Sequence, residues 1–247
     1  MPDNLTVVLI GSVVGILVGF SKTGVPATFI LAVPIMASIF PAKESIGVLL
    51  PMLIFPDLIA IWYYKRHADI NEIFRLLPGC IVGMFLGFHF LSQVNSENLK
   101  PILGILVLTL LVLELLRYRI DFRWITKNSL SPVIFGIVGG FGTTIGNAAG
   151  PVISIFLVSR GFSKYKFIAT AAWFFLIVNI AKLPLFYKLN LITDESLVFN
   201  LWMLPSIGIG IFLGVKLLPK ISQNFFNQFV YVMSGICLLY TSDAADD

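Results

Sequence analysis

Two short polar interruptions stand out from otherwise apolar sequence: Ser21-Lys22-Thr23-Gly24 and Gly142-Thr143-Thr144-Ile145-Gly146-Asn147. Between them they carry one ammonium, the hydroxyls of Ser21, Thr23, Thr143 and Thr144, one carboxamide and no carboxylate. Donors without acids suit an anion. A metal-cation path would instead call for carboxylate and carbonyl oxygens. After the first interruption, Gly24-Val25-Pro26 places a proline near the first turn of a new helix, where its missing N–H costs nothing. After the second, Asn147 reads as an N-cap, and Gly146 and Gly150 allow close backbone approach before Pro151. A helix N-terminus offers free N–H groups and roughly half a positive charge, so two of them facing one another would hold an anion. The competing readings are a snorkelling Lys22 at a membrane surface and hydroxyls that merely bond helix ends.

Three more polar residues lie inside apolar runs: Asp57, Asn179 and Lys182. Laying Phe40 over Phe162 places Asp57 on Asn179. Ionised groups at mid-bilayer cost a few kcal/mol or more, so Asp57 and Lys182 are expected to pair, to face a cavity, or to neutralise. In the functional reading Asp57 is a proton-coupling group, while Asn179 and Lys182 meet the substrate. In the structural reading they form a fixed ion pair or bracket. His89, Lys216 and Glu114 fall near helix ends and read as interfacial anchors. Cys80 and Cys237 have no paired or metal-ligand spacing, so no metal and no cofactor are expected.

The elements that must position these groups are membrane helices. Of 247 residues, 57% are hydrophobic and only 12% charged, against roughly a quarter charged in soluble domains. Glycine and proline inside long apolar runs suit packed, locally broken helices and exclude an outer-membrane barrel. Runs approaching the ~20 residues needed to span occur at Leu5–Phe20, Val25–Ile39, Ser45–Tyr64, Phe74–Leu91 and Leu99–Leu116. They recur at Leu130–Phe141, Ala148–Ser159, Phe167–Tyr187, Leu197–Val215 and Phe225–Tyr240, with the first two of each set short or re-entrant. Gly15, Ile16, Gly19 and Phe20 match Gly136, Ile137, Gly140 and Phe141 at an offset of 121. Leu77-Pro78 and Gly83-x-Phe85-Leu86-Gly87 match Leu204-Pro205 and Gly210-x-Phe212-Leu213-Gly214 at an offset of 127.

The expected architecture is therefore an all-α polytopic membrane protein built from two repeats of about five helical segments each. Residues 1–117 form the first, 118–129 a basic linker and 130–240 the second, and 241–247 are set aside as a tail. An odd number of crossings inverts the second repeat. Lys and Arg in alternate connections divide thirteen to three: Lys22, Lys65, Arg66, Arg75, Arg117, Arg119, Arg123, Lys127, Arg160, Lys164, Lys166, Lys216 and Lys220 against Lys43, Lys100 and Lys188. The positive-inside rule then places the linker in the cytoplasm and both termini outside. No basic residue precedes the first run, so no cleaved signal peptide is expected.

Gly15-x-x-x-Gly19-Phe20-Ser21-Lys22-Thr23-Gly24 with Val33-Pro34, its echo from Gly136 to Pro151, Lys43-x-Ser45-Ile46-Gly47 after Phe40-Pro41, and the Pro78–Gly87 segment resemble the sulfite exporter TauE/SafE family of bacterial membrane permeases. The resemblance implies secondary transport of a small sulfur-containing or carboxylate anion, such as sulfite or a sulfonate, across the bacterial inner membrane. Gly24-Val25-Pro26-Ala27 departs from the glycine-tripled segment frequent in that family. An anion channel is the alternative. An intramembrane enzyme is disfavoured because G-x-S-x-G, H-E-x-x-H and phosphate-loop patterns are missing. The expected partners are the anion and the lipid bilayer, with no nucleic acid. Phe and Gly faces leave self-association open.

Overall fold

The computed structural model describes residues 5–99, 101–105, 109 and 128–222. It is helical, with no strand among the described residues. The elements are α1 (Leu5–Thr23), a 3-10 segment (Pro26–Leu31), α2 (Ala32–Ala37), α3 (Ala42–Tyr64), α4 (Ile70–Gln93), α5 (Ser131–Gly146), α6 (Gly150–Ser159), α7 (Lys164–Lys188) and α8 (Asp194–Leu217). Among the described residues five helices, α1, α3, α4, α7 and α8, are long and apolar enough to cross a membrane. The linker and the Phe225–Tyr240 segment lie outside the described residues, as does most of Leu99–Leu116.

One expectation needs correcting. α1 is not a short segment: it runs unbroken through Thr23, because nothing in Ser21-Lys22-Thr23 interrupts its hydrogen-bond ladder. The broken element is the one after it, where Pro26 opens a 3-10 segment that passes into a helix of only six residues.

Pro51, Pro56, Pro78, Pro184 and Pro205 all lie inside helices. Buried membrane helices tolerate them because neighbouring groups satisfy the freed carbonyls. Two helix starts are fixed by polar caps. Asp69 accepts a hydrogen bond from the Glu72 backbone N–H at α4, and Thr193 and Ser196 form a reciprocal capping box at α8.

α1 packs along α8, α4 along α5, and α3 along α7. The first two contacts are built from glycine and reproduce one another. A Cβ on Gly15 would strike Ser206, and one on Gly136 would strike the Leu76 carbonyl and crowd Gly79. A Cβ on Gly19 would strike the Ile207 carbonyl, as one on Gly140 would strike that of Cys80. Gly210 lies against the Ile16 carbonyl as Gly83 lies against that of Ile137. Each pair of contacts interconverts by shifting one partner by 121 and the other by 127, the offsets present in the sequence. Such close backbone approach replaces the hydrophobic force that lipid cannot supply between helices. α3 and α7 cross antiparallel: Gly47 meets Leu191, Asp57 meets Asn179, and Asp69, just past α3, meets Thr170.

Apolar clusters fill the interior on both sides of this crossing, one around Phe156, Phe167 and Phe174, the other around Met36, Leu49 and Met203. Outside, Phe74, Phe85 and Phe212 are exposed, as expected of a surface whose solvent is lipid. Trp62 and Tyr63 at one end of α3, with Tyr187 at the end of α7, occupy positions typical of interfacial aromatics.

Candidate functional site

The two interruptions meet. A cavity of about 360 Å³, including its open mouth, is lined by Ser21, Lys22, Pro26 and Phe29 from the first and by Thr143, Asn147 and Gly150 from the second. Leu53 of α3 and Phe175 and Asn179 of α7 complete the wall.

At the first interruption, the last turn of α1 carries Lys22 inward rather than toward a membrane surface. Its Nζ lies 2.9 Å from Asp57 Oδ1 and 3.1 Å from Oδ2. It also stands 4.2 Å from the centroid of the Phe175 ring, a cation–π contact. Lys22 therefore leaves the count of cytoplasmic loop charges. Asp57 is fully buried and takes a further hydrogen bond from Asn179 Nδ2 at 3.1 Å. Asn179 Oδ1 is buried and has no hydrogen-bond partner among the described residues.

At the second interruption, Lys182 lies one turn beyond Asn179 and is fully buried. It does not pair with Asp57, contrary to the first of the sequence expectations. The ammonium donates instead to the Thr143 carbonyl at 3.0 Å, the Thr143 hydroxyl at 2.9 Å and Asn147 Oδ1 at 2.7 Å. Three acceptors match the three N–H bonds of an ammonium, so this charge is saturated by neutral oxygens. Asn147 Nδ2 donates to the Ile46 carbonyl of α3 at 2.9 Å, tying the interruption to the crossing helices.

Asn147 is not an N-cap. It closes α5 in the left-handed region, at φ 53° and ψ 21°, where asparagine is tolerated, and Ala148 N–H reaches back to the Gly142 carbonyl. The N-cap position of α6 is Ala149, which has no side-chain cap. The first-turn N–H groups beside Gly150 are thus not consumed by a capping side chain.

The remaining sequence candidates are placed as follows. Thr23 donates to the Gly19 and Ile211 carbonyls and its own carbonyl accepts from Tyr64, while Gly24 packs on Gly214. Thr144 donates to the Gly140 carbonyl and abuts Gly87, and Gly146 is the buried last residue of α5. These four hold helices together and do not line the cavity. Ser21 lines it, with its hydroxyl donated to the Val18 carbonyl. Asp57 and Lys182 stand behind the wall. Sequence reasoning missed Phe29, Leu53 and Phe175, since apolar residues in apolar runs carry no mark. Phe175 could have been found from its place four residues before Asn179, on the same helical face.

The family described as Sulfite exporter TauE/SafE matches this chain over residues 7–241. The chain is also similar to "Probable membrane transporter protein YtnM" of Bacillus subtilis (strain 168), at 29% identity over 157 residues. That alignment covers 60% of this chain and 51% of the relative, so the chain spans about half the length of that protein. No solved structure matches.

Proposed function

The chain belongs to the sulfite exporter TauE/SafE family of membrane transporters, and on that premise we propose that it is a secondary permease for a small anion, coupled to protonation of Asp57. The observation that carries the reading is a charge balance among the described residues: the buried Lys182 and the largely buried Lys22 of the cavity wall against the buried carboxylate of Asp57, around a cavity made by two helix interruptions. The site is one positive charge in excess, and an anion completes it. Buried charge in a membrane is retained where it is paired or used.

The two lysines do different work. Lys182 holds the second interruption in shape and contributes a fixed field. Lys22 is held by Asp57, so an arriving anion competes with that carboxylate for the same ammonium. A proton on Asp57 removes the competition, which makes proton and anion bind together and move together. The exchange-related glycine contacts and the antiparallel crossing of α3 and α7 support reading residues 1–117 and 130–240 as inverted repeats, hinged about this site. The loop charges support a cytoplasmic linker at 118–129 and an inner-membrane location with outward termini. The family's description favours sulfite, a sulfonate or a related carboxylate.

The test is transport by the purified chain in vesicles. Anion accumulation above its own electrochemical gradient under an imposed pH gradient is expected, together with loss of pH dependence in Asp57→Asn. Flux that only follows the anion's own gradient would replace the permease with a channel, and unchanged pH dependence in the variant would remove Asp57 from the coupling.

A further inference from the structure

Resting on that reading, we infer that the anion carried by this protein bears a hydrogen-bond donor beside its charged head, and that Asn179 Oδ1 reads it. Asn179 lines the cavity and is 1% exposed, yet its Oδ1 has no partner among the described residues. A buried amide oxygen without a partner costs about 1–3 kcal/mol, and lipid supplies none.

The orientation of the amide is fixed by its neighbour. Nδ2 donates to Asp57 Oδ2, and Asp57 is held by Lys22 as a carboxylate, which only accepts. Turning the amide over would set its oxygen against the carboxylate. Oδ1 is therefore the atom that an arriving ligand meets, before a proton on Asp57 frees the amide to turn.

The rest of the polar wall offers donors. The Thr143 oxygen accepts from Lys182, which leaves its own proton available, and one N–H of Asn147 Nδ2 remains beyond the bond to Ile46. The anionic head belongs with these donors and with Lys22. A lone neutral acceptor among them is complemented by an O–H or N–H on the ligand. The repeat explains why the residue is an amide. Asn179 stands where Asp57 stands in the other half; a second carboxylate would cancel the excess positive charge, whereas an amide supplies the acceptor without one. The ligand class is thus a small hydroxylated or otherwise protonated monoanion rather than a bare one of the same size. Sites built to hydrogen-bond a hydroxyl discriminate strongly against the analogue that lacks it.

The experiment measures binding to the full-length purified chain by thermal shift with two isosteric pairs, glycolate against propionate and 2-hydroxyethanesulfonate against 1-propanesulfonate. In each pair a hydroxyl replaces a methyl at unchanged charge. The hydroxylated member is expected to bind about tenfold to a hundredfold tighter. Asn179→Leu should erase that gap, so that the hydroxylated member binds no tighter than its methyl partner in the same variant. Equal affinities within both pairs on the native chain would overturn the inference and leave the anion site standing, and this comparison does not depend on any variant folding. A gap that persists in Asn179→Leu would overturn the role of Oδ1. Failure of all four to bind would remove the anion site and the inference with it.

Discussion

The two interruptions line one cavity and differ in how they hold a lysine. In the first, Lys22 of α1 rests on Asp57 of α3. The equivalent positions in the second half are Thr143 and Asn179, which are neutral, and the lysine reappears one turn along at residue 182, on a carbonyl, a hydroxyl and an amide. A carboxylate can be switched off by one proton, whereas those three oxygens cannot. On the proposed reading, the difference divides the two matching halves into a switchable one and a fixed one.

The strongest way to break this comparison is at Lys22. Lys22→Met strands the Asp57 carboxylate in the protein interior, and removing one partner of a buried pair costs about 3–5 kcal/mol. We expect a large fall in Tm in detergent and no anion uptake in vesicles. Adding Asp57→Asn should recover the Tm and leave uptake absent, because the charge that attracts the anion is still gone. A single variant with the native Tm would show that the pair is not held as described.

Lys182→Met probes the fixed half. It orphans neutral acceptors rather than a charge, so the expected loss of stability is smaller, about 1–3 kcal/mol. Anion affinity should fall about tenfold, consistent with a loss on the order of 1.4 kcal/mol, while the pH profile of uptake keeps its shape. A shifted profile, measured side by side with the native chain, would mean that Lys182 belongs to the switch as well.

The sequence carried the scaffold further than the switch. Gly15, Gly19, Gly83 and Gly210 were legible at their offsets because a position that admits only glycine leaves a mark in any register. Overlaying Asp57 on Asn179 placed two residues that also touch, as happens where a duplicated pair of helices crosses at equivalent points. The partner of Asp57 was not legible. Lys22 and Lys182 are both lysines near apolar helices, and only the rotation of α1 about its axis decides which reaches the carboxylate. Asn147 was misread for a related reason: asparagine serves both an N-cap and a left-handed helix end, and the Gly-Asn-Ala-Ala-Gly stretch does not say which helix it belongs to.

The packing glycines sharpen the comparison from the other side, since there the halves should agree. Gly83→Ala and Gly210→Ala each drive a Cβ into a carbonyl of the neighbouring helix, Ile137 and Ile16 respectively. Each should cost about 1–3 kcal/mol, and by similar amounts. Gly208→Ala, two residues away on α8, meets nothing among the described residues and should be neutral or stabilising by up to about 1 kcal/mol. Markedly unequal costs at Gly83 and Gly210 in thermal melts would argue against equivalent packing.

The smallest expected effect tests whether the charged-versus-neutral division extends to the helix starts. α8 begins on the Thr193–Ser196 capping box, and Thr193→Ala should cost about 1 kcal/mol at any pH, because no titrating group is involved. α4 begins on Asp69, whose carboxyl is held below its ordinary value chiefly by a hydrogen bond from Lys166, against a smaller opposing effect of partial burial and with help from the Glu72 backbone N–H. A carboxyl depressed in the folded state stabilises above its unfolded value, about 3.9, and loses that contribution as pH falls through the lower folded one. The Asp69 side chain keeps 23% of its surface exposed and that of Lys166 41%, so solvent screens the pair to about 1 kcal/mol or less. Lys166→Met should therefore lower Tm slightly at pH 7 and by less at pH 3, below the unfolded value, where part of the interaction is already lost. The same Tm difference at both pH values would mean that Lys166 stabilises through its stem against Phe162, over whose ring its Nζ stands at 4.2 Å, and not through the charge on Asp69.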